Sequence, residues 1–168
     1  NEEILWAEVG TAYAEQLKTE LNREVGKRIS EKVQKDVDFE NPDITITLDL
    51  AKNKLELQVR SVYILGRYRK LIRGIPQTRW PCRKCKGKGC ESCNFTGKKY
   101  QESVDELIKE PVIEVFQAID TAFHGSGRED IDALMLGSGR PFVVEAKSPE
   151  RRSTDLEELM RSINEKAA

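Results

Sequence analysis

No apolar run in these 168 residues approaches the ~20 needed to cross a bilayer, and no signal-peptide pattern opens the chain. A membrane-spanning helix and a secretory leader are therefore not read, and the cytoplasm is the default compartment. Internal repeats and low-complexity tracts are also missing. Histidine occurs once, as His124, with no recognisable partner, and is read as positional. Cysteine is confined to Cys82, Cys85, Cys90 and Cys93. With 38% hydrophobic and 34% charged residues, the chain reads as globular, with a modest core and much solvated surface. One ordinary domain or two small ones fit that length.

The net charge of -1 hides an uneven distribution. Between Arg60 and Tyr100 the only acid is Glu91, against twelve Lys and Arg, so this segment carries +11 and the remainder -12. Tyr63, Tyr68, Trp80, Phe95 and Tyr100 are interspersed with the cations. Rings that stack on bases, beside cations that neutralise phosphates, point to nucleic acid, with Arg67, Arg69, Lys70, Arg73, Arg79, Lys84, Lys86 and Lys88 as candidate contacts. A merely solvated basic face is the alternative.

Periodicity predicts an α+β fold. Val9, Tyr13, Leu17, Leu21, Val25, Ile29 and Val33 recur every four residues, as on one long amphipathic helix from about Val9 to Lys35. Ile44 to Leu50 and Leu55 to Arg60 alternate around a Lys52-Asn53-Lys54 turn, which predicts a hairpin. Ser103-Val104-Asp105-Glu106 reads as a capping box, and helical spacing continues from Leu107 to Phe123, divided or kinked at Pro111. A strand follows from about Asp130 to Leu136, then a Gly137-Ser138-Gly139 turn and a neighbouring strand from Pro141 to Ala146. Thr154-Asp155-Leu156-Glu157 reads as a second capping box before a last helix.

The four cysteines form two Cys-x-x-Cys pairs four residues apart, within Cys82-Arg83-Lys84-Cys85-Lys86-Gly87-Lys88-Gly89-Cys90-Glu91-Ser92-Cys93. Each pair can aim two thiolates at one centre, and adjacent cations help hold them deprotonated, as a structural zinc site needs. Four thiolates leave no open position for water. An iron–sulfur centre and two disulfides are the alternatives. The glycine spacing is also similar to the zinc repeat of Hsp40 chaperones, of which several copies are usual and one is present; it carries the reading of a protein-interaction module.

His124-Gly125-Ser126-Gly127-Arg128-Glu129-Asp130-Ile131-Asp132 sets an arginine and carboxylates beside a glycine-rich turn. A phosphate-binding glycine loop would need Gly-Lys-Ser/Thr and a following helix. Asp130 and Asp132 on one strand face could meet a hard cation, but only weakly. A structural turn with Arg128 paired to an acid also fits.

This segment resembles the catalytic motif of the THUMP-containing tRNA pseudouridine synthases of archaea and eukaryotes, the "Pus ten" type. The resemblance extends to Leu21-Asn22-Arg23-Glu24-Val25-Gly26-Lys27, to Arg73-Gly74-Ile75-Pro76-Gln77-Thr78-Arg79-Trp80, to the cysteine cluster of archaeal members and to Ser103-Val104-Asp105-Glu106-Leu107-Ile108. It implies a THUMP-like RNA-binding region over 1–80, a zinc loop over 81–100 and the start of a catalytic domain over 101–168. The implied reaction isomerises uridine to pseudouridine in the T-arm loop of tRNA, with no organic cofactor. Asp130 would be the nucleophile, at the ribose C1′ or at C6 of uracil, with Arg128 and Asp132 in support. Arg128 would fill the place of the extruded base or hold Asp130 ionised. Members of that family continue past this motif, so the chain is expected to be a fragment with an incomplete active site. A tRNA-binding module without activity is the competing class.

Overall fold

A computed structural model describes residues 2–12 and 14–168. The class is α+β, and the chain forms two units, one ending at Asp43 and one beginning at Ile44. None of the described helices is long and apolar enough to cross a membrane.

In the first unit, α1 spans Glu2–Val9 and α2 spans Leu17–Val33. The single helix expected from Val9 to Lys35 is therefore cut. Gly10 and Thr11 are poor helix formers, Gly by ~1 kcal/mol, and the four-residue repeat cannot register that cost. Tyr13, one of the repeat positions, lies outside the described residues. α2 ends where Gln34 turns left-handed (φ 55°) and donates its N–H to the Ser30 carbonyl.

The second unit opens with the expected hairpin. β1 (Ile44–Asp49) and β2 (Lys54–Val59) pair antiparallel from Ile44↔Val59 to Asp49↔Lys54. Asp49 Oδ1 accepts the Lys52 N–H at 3.1 Å to close the turn. After β3 (Val62–Lys70) come α3 (Val104–Phe116), β4 (Asp120–Gly125), β5 (Met135–Lys147) and α4 (Leu156–Lys166). The three strands form one antiparallel sheet in the order β3-β5-β4. Ile108, Val112 and Phe116 of α3 and Leu159 of α4 pack with Phe142, Val144 and Ala146 of β5 into the core. Phe123 and Phe142 stack with ring centres 5.2 Å apart.

Several boundaries differ from the periodic reading. α3 runs through Pro111 without a break: the imino acid is buried, and burying Ile108, Val112 and Phe116 offsets the ~3 kcal/mol that a proline inside a helix costs through its missing N–H and its ring clash. The helix stops at Phe116, capped by Gln117 (φ 48°), and Phe123 belongs to β4 instead. A short apolar run fits both periods, and burial of one strand face decided between them. The stretch Gly137-Ser138-Gly139 is a bulge inside β5, where the register slips between Tyr68↔Arg140 and Lys70↔Met135. Ser103 caps α3 as expected, donating to Glu106 Oε2 at 2.9 Å and accepting the Glu106 N–H at 3.3 Å. Asp155, not Thr154, caps α4, through the N–H groups of Glu157 and Glu158.

A carboxylate loop over a cleft and a four-cysteine centre

β4 delivers the chain at Gly125 into the Ser126–Asp132 loop, whose anchor is the buried Glu129, with its side chain 3% exposed. Its two oxygens accept from the Tyr68 hydroxyl at 2.8 and 2.7 Å, and Arg140 Nε lies 2.9 Å from Oε2 in an ionic contact. Lys70 Nζ stands 3.9 Å from Oε1 and donates at 3.1 Å to each of the carbonyls of Ile75, Asp130 and Ile131. Gln77 Nε2 donates to Tyr68 Oη at 2.9 Å and to the Gly127 carbonyl at 3.0 Å, while Arg140 Nη1 donates to the Ser126 carbonyl at 2.9 Å. Burial, and secondarily the Glu129 carboxylate, pushes the Tyr68 phenol up to about 12, so it stays a donor. Gly127 suits this position because its backbone is left-handed (φ 79°), a conformation that strains any residue with a side chain.

These bonds explain why the expected strand from Asp130 to Leu136 is absent. The carbonyls of Asp130 and Ile131 serve Lys70, the Ile131 carbonyl also takes the Gly74 N–H at 3.0 Å, and the Asp132 carbonyl takes the Arg73 guanidinium. With its acceptors used, the segment turns, Ala133 N–H donating to the Asp130 carbonyl at 3.0 Å, and β5 begins only at Met135. Asp130 and Asp132 do not share a strand face.

With Glu129 drawn inward, its neighbours Arg128 and Asp130 are exposed. Together with Asp132, Gln77 and Trp80 they line a cleft of about 290 Å³. The Asp130 carboxylate makes no hydrogen bond or ion pair among the described residues. Arg128 is not paired with it; the guanidinium sits over the Trp80 ring, 5.2 Å from its centre. His124 faces Glu145, Nε2 to Oε2 at 3.2 Å, a cross-sheet partner invisible in the sequence.

Trp80 also opens the cysteine loop. Lys99 N–H donates to its carbonyl at 2.9 Å, Pro81 and Lys98 form an isolated bridge, and Cys82 N–H donates to the Gly97 carbonyl at 2.7 Å. Gly97 is buried with no space for a side chain, since a Cβ would lie 2.3 Å from the Gly87 carbonyl oxygen. The sulfurs of Cys82, Cys85, Cys90 and Cys93 all fall within 4.8 Å of one another, and none is disulfide-bonded. Separations of 4.0 Å (Cys82–Cys90), 3.8 Å (Cys85–Cys93) and 3.6 Å (Cys90–Cys93) match the ~3.8 Å edge of a tetrahedron of thiolates ~2.3 Å from one ion. Gly89 and Cys90 N–H groups donate to Cys85 and Cys93 sulfur at 3.2 Å, as suits sulfur carrying negative charge. Burial raises the Cys93 thiol, but the N–H groups of Cys90 and Gly97 prevail and bring it down to about 6; burial and the neighbouring sulfurs push Cys90 up to about 11. The cluster can hold a metal ion.

The basic residues separate into two groups. Arg69, Arg79, Lys86 and Lys88 are exposed and unpaired among the described residues, and Lys84 reaches only Ser92 Oγ, at 2.7 Å. Arg67 instead holds the β5 bulge, donating to the carbonyls of Ser138 (2.8 Å) and Gly139 (2.9 Å), and Arg73 holds Asp132. Lys70, expected on the RNA-facing surface, is 3% exposed and serves the interior, because its ammonium is the counter-charge of Glu129. Tyr68, expected among the base-stacking rings, is instead buried and donates its hydroxyl to Glu129, whose contacts with Tyr68, Gln77 and Arg140 join residues far apart in the sequence. The one sequence signal for Tyr68 and Lys70 was their position on alternating strand residues.

A family model described as "Pus10, C-terminal" matches residues 63–168, and one described as "Pus10 THUMP domain, archaeal" matches residues 1–49. Proteins named "tRNA pseudouridine synthase Pus10" are similar throughout. That of Methanothrix thermoacetophila is 56% identical over 168 residues, covering 100% of this chain and 37% of the relative. That of Methanothermobacter marburgensis is 53% identical over 154 residues, covering 91% and 38%, and that of Methanopyrus kandleri 50% over 169, covering 98% and 38%. The chain thus spans well under half the length of these relatives.

Proposed function

The chain belongs to the Pus10 family, and we propose that it forms part of a cytoplasmic tRNA pseudouridine synthase in which Asp130 is the carboxylate that attacks the target uridine. In that isomerisation the N1–C1′ bond breaks, the uracil turns, and C5 joins C1′. The observation that carries the reading is the contrast within one loop: Glu129 is locked in the interior by Tyr68, Lys70 and Arg140, while Asp130 beside it is exposed and unpaired at a cleft. A nucleophile needs that combination of fixed backbone and free carboxylate, because reach to a bond being broken falls off within about 1 Å of misplacement. Arg128 and Asp132, on the same rim, support the extruded base and the loop.

Zinc is the ion that suits Cys82, Cys85, Cys90 and Cys93: four thiolates fill its tetrahedral shell and leave no place for water, so it supplies fold and no chemical step. Arg69, Arg79, Lys84, Lys86 and Lys88 present cations to the tRNA backbone, with Arg67 and Arg73 beside them also fastening the protein. The uridine lies in the T-arm loop.

In the full-length protein, Asp130→Ala and Asp130→Asn should abolish tritium release from tRNA labelled at uridine C5, with tRNA affinity kept within about threefold, because this carboxylate acts on the bond being broken rather than on phosphate. Asp132→Asn should slow release less. Sustained release by Asp130→Ala would sink the assignment, and tRNA binding without turnover by the unaltered full-length protein would point to a non-catalytic tRNA-binding module.

A further inference from the structure

We infer that Trp80 is a stacking platform for an RNA base at the mouth of the Asp130 cleft, set there by the cysteine loop; the inference rests on the reading of Asp130 given above. Trp80 is half-buried, lines the same cleft as Asp130, and takes no part in the hydrophobic core. Its indole therefore meets polar and aromatic side chains at the cleft rather than the apolar interior. Its backbone is pinned on both sides of the loop base, by the Lys99 N–H on its own carbonyl and by the Cys82 N–H on Gly97 two residues further on. The ring is therefore presented by a rigid element.

What gathers around the ring identifies the ligand class. Arg128 lies 5.2 Å and Lys99 Nζ 4.9 Å from the ring centre, and Tyr100 meets it edge-on with centres 5.7 Å apart. A planar π-surface flanked by two cations is the arrangement that takes a nucleotide, the base against the ring and the phosphates on the cations. A peptide or a free phosphate would use the cations and leave the indole unexplained. In the free protein Arg128 covers the ring, and a base stacks in its place.

The test uses the full-length protein carrying Asp130→Asn, so that binding is read without turnover, and an unmodified T-arm stem-loop RNA. Trp80→Leu should weaken binding by about 5- to 150-fold, the equivalent of ~1–3 kcal/mol for one stacked base, while Trp80→Phe stays within a few-fold. RNA should lower the tryptophan fluorescence of the parent, and that drop should shrink in Trp80→Phe. Metal content is measured in each variant; if Trp80→Leu loses its metal, the fluorescence of Trp80→Phe decides, and an undiminished drop there overturns the inference. Wild-type affinity in Trp80→Leu with its metal retained overturns it as well. Should that happen while Asp130→Ala is inactive, only the stacking role fails; should Asp130→Ala turn over normally, the reading of Asp130 fails whatever the Trp80 series shows.

Discussion

The Cys82–Cys93 loop and the Ser126–Asp132 loop have the same problem, since neither has enough apolar side chains to bury a core of its own, and they solve it in opposite ways. The first gathers four sulfurs within 4.8 Å of one another, all contributed from its own twelve residues. The second sends one carboxylate, Glu129, into the protein, to meet partners on β3 and β5 and in the segment between β3 and the cysteine loop. A loop closed on itself around four sulfurs that can hold one ion should open when that ion is withheld. A loop tied to the sheet shares its stability with the sheet, so it should fail only when the charge balance inside is broken.

The sharpest break in that comparison is metal removal, where the largest effect is expected, because an apparent ~10–16 kcal/mol is typical of a structural zinc site. Chelation, or Cys85→Ser, should release the amides of Cys82, Gly89 and Cys90 to hydrogen exchange while those of Val144 and Ala146 stay protected. Loss of protection in both sets at once would show that the cysteine loop and the sheet are one cooperative unit. Next in size is Glu129→Ala, which strands Lys70 as a buried cation and takes the carboxylate from the half-buried Arg140, and should cost about 3–5 kcal/mol in denaturant unfolding, with Glu129→Gln costing less. A change within the ~0.5 kcal/mol usual for surface sites would mean that the network holds nothing.

The same difference decided what could be read from the sequence. The cysteine centre was legible because its ligands are near neighbours and thiolate chemistry fixes their spacing. The hairpin at Asp49–Lys54 and the Ser103 cap were legible for the same local reason. Glu129 was not, because Tyr68 and Lys70 lie 61 and 59 positions away and nothing in the spacing says that these three side chains meet. Lys70 looked like one more member of a basic run, and only its burial on the inner face of β3 shows otherwise. The strand expected at Asp130 failed from the same blindness: alternation is a local signal, and the carbonyls were already taken by distant donors.

A smaller effect separates the uncharged member of the network from the charged ones. Tyr68→Phe removes a hydroxyl that donates to Glu129 and accepts from Gln77, and should cost about 1–3 kcal/mol near neutral pH. The phenol ordinarily ionises near 10 and is held up to about 12 in the folded protein, so the fold favours its neutral form. That preference is fully present below pH 10 and is lost as the pH climbs from 10 to 12, because only the unfolded chain gains by ionising. The wild-type advantage over Tyr68→Phe should therefore narrow across that window in parallel denaturation series. A gap that stays constant to pH 12 would show that the hydroxyl is solvated rather than enclosed.

The smallest effect lies where the two loops touch, and it asks whether they are separate at all. Arg128 of the carboxylate loop covers Trp80 at the base of the cysteine loop, 5.2 Å from guanidinium to ring centre. Both groups are at least partly exposed, so the cation–π attraction is screened and worth about 0.5–1 kcal/mol. Single replacements would mix this with lost packing and altered solvation, so the measurement is a double-mutant cycle of Arg128→Ala and Trp80→Leu, followed by denaturant unfolding of the metal-loaded protein. A coupling of that size, abolished on chelation, would mean that the metal fixes the ring against which the carboxylate loop rests. Coupling that survives chelation would place the ring under the control of the Pro76–Gln77 segment instead. A coupling of zero would leave the two loops as independent solutions that meet only in space.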